Sequence, residues 1–121
     1  MDAALLRATA FVFALALVVQ LLVLPEPAFV PSITALITDK VLHALVFGLL
    51  AVLLYVLAGP RTTLAVFAAV VGIGVLDELH QAFVPGREAD LADLLADAAG
   101  AAIALHLVKF VPLGAPTCAE S

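Results

Sequence analysis

The residues able to do chemistry in this chain are crowded into two stretches. The first holds Asp39, Lys40 and His43. The second, DELHQAFVPGREADLADLLAD, holds seven charged residues: Asp77, Glu78, Arg87, Glu88, Asp90, Asp93 and Asp97. Histidine and carboxylates together are the groups of general acid–base transfer, because burial and like charges raise a carboxylate pKa. His43 or Glu78 would be the base. Dense carboxylates also suit a hard divalent cation, Mg²⁺ or Ca²⁺, held by Asp77, Glu78 and Asp93 and able to polarise a phosphoryl oxygen. Lys40 and Arg87 are the cations that would hold phosphate. The candidate catalytic residues are therefore His43, Asp77, Glu78 and Asp93. The candidate ligand-binding residues are Asp39, Lys40, Gln81, Arg87, Asp90 and Asp97.

The elements that must position these groups are apolar. The chain has 121 residues, 65% of them hydrophobic, and a mean hydropathy of +1.25. A soluble domain is nearer about 45–50% apolar, so the bilayer is the expected solvent. Four apolar runs predict helices over about 5–24, 41–58, 63–83 and 91–111. The third and fourth reach the roughly 20 residues of a span only if their charged turns count. Nothing alternates with period two, which excludes β-barrel strands. The expected fold is all-α, an integral membrane bundle of four transmembrane helices. It forms one domain over 1–111, followed by a flexible tail over 112–121. The first run, Ala8 to Leu24, is longer than a signal-peptide core and no A-x-A-like site follows, so it reads as an uncleaved anchor. The connections are a longer Pro-rich loop (LPEPAFVPSITALITD), a tight GPRT turn and a short VPGREAD loop. Asp90 is the expected N-cap of the fourth helix. A net charge of −5 argues against a nucleic-acid partner. The lone cysteine, Cys118, forms no internal disulfide and reads as an incidental tail residue.

Four spans have a topological consequence. The start of the second helix, the end of the third and the start of the fourth all lie at one membrane face. Asp39, Lys40 and His43 thus join Asp77, Glu78, His80, Gln81, Arg87, Glu88, Asp90, Asp93 and Asp97. At ~100° per residue, Asp90, Asp93 and Asp97 fall on one side of their helix. Asp77 shares a side with Gln81, and Asp39 and His43 share a side with Phe47. An Asp facing lipid at the bilayer centre costs about 2.5–3.5 kcal/mol, so these stripes should turn inward. Asp39, Glu88 and Asp90 also suit plain helix-end caps. Gly72, Gly74 and the run Ala98 to Ala102 would let helices approach closely. Arg7, Arg61 and Lys109 fall on the face opposite Lys40 and Arg87. Three against two places both termini in the cytoplasm.

DKVLHALVF from Asp39, DELHQAFVPGR from Asp77 and DLADLLADAAG from Asp90 together resemble the VanZ-like family of small bacterial membrane proteins. The family pattern is D-K-x-x-H-x-x-x-F, then D-E-x-x-Q-x-F-x-P-G-R, then D-x-x-x-N-x-x-G. Two positions depart from it: Asp97 stands where the pattern has Asn, and Ala104 where a second glycine often follows Gly100. The resemblance implies a multi-pass protein of the bacterial inner membrane. It also implies a link in name to antibiotic resistance, since the namesake is associated with low-level resistance to teicoplanin.

The charged face admits several uses. The first is a non-cytoplasmic polar site that binds a lipid-linked wall precursor or another envelope-surface ligand. The second is an intramembrane hydrolase or transferase acting on a lipid phosphate or wall precursor. No H-E-x-x-H, G-x-S-x-G or P-loop signals a particular chemistry. A proton-coupled transporter is disfavoured, because the other half of the bundle has only His106 and Thr62–Thr63 to continue a polar path. The last is a structural subunit with buried ion pairs and no ligand.

Overall fold

The computed structural model describes residues 2–23 and 33–113. It contains four α-helices: α1 (Ala3–Leu22), α2 (Ile33–Ala58), α3 (Thr63–Ala82) and α4 (Leu91–Val108), with a single 3-10 turn at Pro60–Thr62. There is no strand among the described residues. All four helices are long and apolar enough to cross a membrane, and the chain is a multi-pass membrane protein. Most of the Pro-rich connection, most of the expected tail and Cys118 lie outside the described residues.

Local chemistry accounts for the helix ends. Asp2 caps α1 by accepting from Ala4 N–H at 3.2 Å. α2 stops at Gly59, whose φ of +91° continues no helix and whose N–H closes onto Tyr55 O. Asp90 caps α4 by accepting from Ala92 N–H at 2.8 Å, as expected. α2 begins at Ile33, eight residues before the expected position 41. The apolar run breaks at Asp39-Lys40, but a helix does not end at a charge. Ile33, Leu36, Ile37 and Val41 continue the apolar spacing through it, with no Gly or Pro between. At 26 residues α2 is about 39 Å long, more than the ~30 Å hydrocarbon core, so it can carry charge at one end. α4 ends at Val108 rather than 111, with Lys109 as its C-cap.

α2 packs against the three other helices, most extensively against α4. Phe47, Leu50, Ala51 and Tyr55 of α2 bury against Val66 and Val70 of α3 and Ala101, Leu105 and Val108 of α4. Around this core the surface is apolar, with Phe11, Leu45, Leu64, Ile103 and Leu107 all exposed. Lipid is the solvent such a surface requires. The α2–α4 crossing depends on glycine. A Cβ on Gly100 would stand 2.0 Å from Ala44 O, and one on Gly48 would stand 3.1 Å from Gly100 O. Without a hydrophobic force between helices in lipid, such close packing is a main source of association.

Gly100→Leu should therefore cost at least the ~1–3 kcal/mol of an overpacked core. Gly72→Ala, at a position with no atom within 4 Å of the added carbon, should be tolerated. Equilibrium unfolding in detergent micelles, followed by circular dichroism, checks both. Equal stability for Gly100→Leu and the parent would contradict the crossing.

Candidate functional site

The charged ends of α2, α3 and α4 meet at one end of the bundle, and Lys40 ties them together. Its ammonium donates to Asp90 Oδ2 at 2.6 Å and to Asp93 Oδ1, and lies 3.9 Å from Asp39 Oδ2. One cation thus joins the first turns of α2 to the N-terminus of α4. The Lys40 ammonium, helped by the Ala92 N–H, holds the Asp90 carboxyl below the usual carboxylate range. Asp93 is buried, whereas Asp90 is half-exposed at the mouth of the site.

One turn deeper sits His43. Its Nδ1 lies 2.8 Å from Asp97 Oδ1. Its Nε2 faces Asp39 Oδ1 at 4.0 Å and Asp93 Oδ2 at 3.9 Å. The ring lies parallel to Phe47, one helical turn away, with centroids 6.2 Å apart. Asp97 is fully buried. α3 reaches it at Gly74, where a Cβ would stand 2.9 Å from Asp97 Oδ2. Only a residue without a side chain lets α3 come this close to the carboxylate.

α3 contributes a second chain of contacts. Gln81 donates to Asp77 Oδ2 at 3.1 Å, and Arg87 donates to Gln81 Oε1 at 3.1 Å. The loop aims Arg87 back through a tight turn: its N–H bonds Val84 O, with Pro85 and a positive-φ Gly86 at the two central positions. That is the residue pair a type II turn demands. Glu78 Oε2 accepts the Asp90 N–H at 2.6 Å, so the end of α3 holds the cap of α4.

The structure therefore brings the sequence-derived candidates together in three groups. Lys40 gathers Asp39, Asp90 and Asp93. His43 gathers Asp97, with Asp39 and Asp93 close by. Gln81 links Asp77 to Arg87. The set named for a cation, Asp77, Glu78 and Asp93, is not the set whose ligand atoms converge. Two other groups do, each with one ligand atom per residue inside 4.8 Å: Asp39–His43–Asp93 and His43–Glu78–Asp97. Asp77 lies one turn from Gln81 on the same helix, which draws its carboxylate along α3 instead. Glu88 is exposed, and His80 joins neither converging group. His106 lies near the opposite end of α4, edge-on to Phe110. Gly74 is the contributor that the sequence reading left out of the site. It was read only as a packing residue, because nothing local ties it to Asp97.

An open cleft of about 630 Å³ lies over this end of the bundle. Its polar walls are Asp39, Lys40, Gln81, Arg87, Glu88, Asp90 and Asp93. A smaller recess of about 260 Å³ opens beside His43, between Leu21 of α1 and Phe47 of α2. Lys40 is what makes the burial of Asp93 tolerable, because removing one partner of a buried pair strands the other. Lys40→Met should cost about 3 kcal/mol, at the low end for a buried pair because Lys40 is partly exposed. Adding Asp93→Asn should recover most of that loss. A double-mutant cycle on unfolding in micelles measures the coupling. Additive effects would mean that the pair does not hold α2 to α4.

No curated protein and no solved structure matches the chain. A family model described as VanZ/LLP1 matches residues 7–112, which takes in all of α2, α3 and α4 and most of α1. The chain belongs to the VanZ-like family.

Proposed function

We propose that the charged end of the bundle is a binding site for a polar headgroup at the membrane surface. The ligand is a lipid-linked wall precursor or another envelope lipid. The observation that carries this reading is the cleft itself. Three helices and the VPGR turn wall it with both donors (Lys40, Arg87, Gln81) and acceptors (Asp39, Asp90, Asp93). A phosphate or carboxylate would meet Arg87 and Lys40, and hydroxyls or an amine would meet the carboxylates. The cleft opens at the ends of the apolar spans, the level at which headgroups lie. Arg7, Arg61 and Lys109 lie towards the other end, where Arg7 also donates to Leu57 O at 2.9 Å. This distribution supports a bacterial inner-membrane protein with both termini in the cytoplasm and the cleft outside.

The test is binding of short-chain lipid phosphates to the purified protein in micelles, read by native mass spectrometry. Arg87→Ala should weaken binding by at least ~10-fold, the loss of about one charged hydrogen bond, while the helices stay folded. A folded Arg87→Ala variant that binds like the parent would sink the reading.

A second reading, a hydrolase or transferase on the same class of lipid, is favoured by one observation. His43 is backed by Asp97 at 2.8 Å and opens onto its own recess, which is the arrangement of an oriented general base. Turnover of a lipid phosphate that vanishes in His43→Gln, with binding retained, is the expected signature. Turnover unchanged in that variant would discard it.

A further inference from the structure

Two buried carboxylates of the cluster are only half used. Asp97 is 0% exposed and Glu78 is 7% exposed. Asp97 offers Oδ1 to His43, and Glu78 gives Oε2 to the Asp90 N–H. The remaining oxygen of each, Asp97 Oδ2 and Glu78 Oε1, is buried and has no hydrogen-bond partner. A buried carboxylate oxygen without a donor is costly, and two around one imidazole call for a shared cause. The three side chains come from three different helices. One ligand atom from each of His43, Glu78 and Asp97 lies within 4.8 Å of the others. Ligands on opposite sides of an ion at ~2.0–2.2 Å are up to about 4.4 Å apart. Shifts of a few tenths of an ångström would let a single ion touch all three.

We propose that His43, Glu78 and Asp97 bind one divalent transition-metal cation of the zinc or manganese kind. One imidazole with two carboxylates is the mixed donor set such ions accept, whereas Mg²⁺ and Ca²⁺ call for oxygen alone. The ion brings positive charge to two carboxylates that each keep a buried, unpartnered oxygen. The other converging group, Asp39–His43–Asp93, is the poorer choice. The Lys40 ammonium already bonds Asp93 and lies 3.9 Å from Asp39, and it would repel a cation there. Three protein ligands leave a coordination position for water or a ligand's oxygen. The ion site does not depend on what occupies the cleft above it.

The experiment titrates untagged full-length protein in micelles, stripped with a chelator, with Zn²⁺ and Mn²⁺ separately. Calorimetry gives the affinity and elemental analysis the stoichiometry. One ion per chain is expected for at least one of the two metals. Glu78→Gln and Asp97→Asn should each weaken it by at least ~10-fold, and Asp39→Asn should bind like the parent. No stoichiometric binding of either metal would overturn the proposal, as would binding that survives both Glu78→Gln and Asp97→Asn. Loss of binding in Asp39→Asn alone would move the ion to the other group and overturn it equally. Should the buried variants fail to fold, Co²⁺ in the parent protein decides. Intense visible bands of a low-coordinate nitrogen–oxygen site, displaced by Zn²⁺ and kept in Asp39→Asn, support the triad. The pale spectrum of hydrated Co²⁺ rejects it.

Discussion

The contact on which the rest of the structure depends is the Lys40 ammonium held between Asp90 and Asp93. In lipid, apolar side chains give helices no reason to prefer one another over acyl chains. Two things replace that force in this bundle. At the charged end, Lys40 makes separation of α2 from α4 electrostatically expensive, because a stranded Asp93 would be buried without its cation. One to two turns further in, Gly100 and Gly48 let the two backbones touch. The polar contact sets which faces meet, and the small residues set how closely. α3 is then fixed against both by Gly74 at Asp97 and by Glu78 at the cap of α4.

This arrangement leaves the charged end unbalanced. Among the described residues, this end carries seven acids, Asp39, Asp77, Glu78, Glu88, Asp90, Asp93 and Asp97, against two fixed cations, Lys40 and Arg87, with His43 among them. Part of the excess is met by neutral donors as well: Glu78 takes a backbone N–H, Asp77 takes the Gln81 amide, and Asp90 takes the Ala92 N–H beside its bond to Lys40. Asp90 also sits at the mouth, where solvent helps. The deficit falls on the most deeply buried acids. Depth decides this: a carboxylate near the surface can be hydrated, and one at Asp97 cannot.

Much of this could be read from the sequence. Four apolar runs gave the four helices, and the parity of the spans alone brought residues near 40 together with residues near 80 and 95. Helical phase then put Asp39, His43 and Phe47 on one stripe, as the parallel His43 and Phe47 rings bear out. It also paired Asp77 with Gln81. What phase cannot give is the rotation of one helix against another. That rotation turns Asp97 to His43 and keeps Asp77 out of both converging groups, so the converging acids differ from those the sequence singled out. The early start of α2 was hidden for another reason: hydropathy averages fall at Asp39-Lys40, while backbone hydrogen bonding is indifferent to charge. Gly74 was illegible because its role is defined by an atom 23 residues away.

The two halves of the bundle are packed differently. Val66, Val70, Leu105 and Val108 pack the other half with side chains that need no partners. A family member that only had to hold four helices together could do the same throughout. Replacing a buried ion pair with apolar residues of similar volume is often neutral or stabilising. The charged end instead carries buried acids, a cleft and a histidine with one face on a recess. Stability alone would favour leucine at Asp93 and Asp97. Their presence beneath an open polar cleft fits the headgroup site proposed above. It also makes Lys40 the element that lets such a site survive in a protein dissolved in lipid.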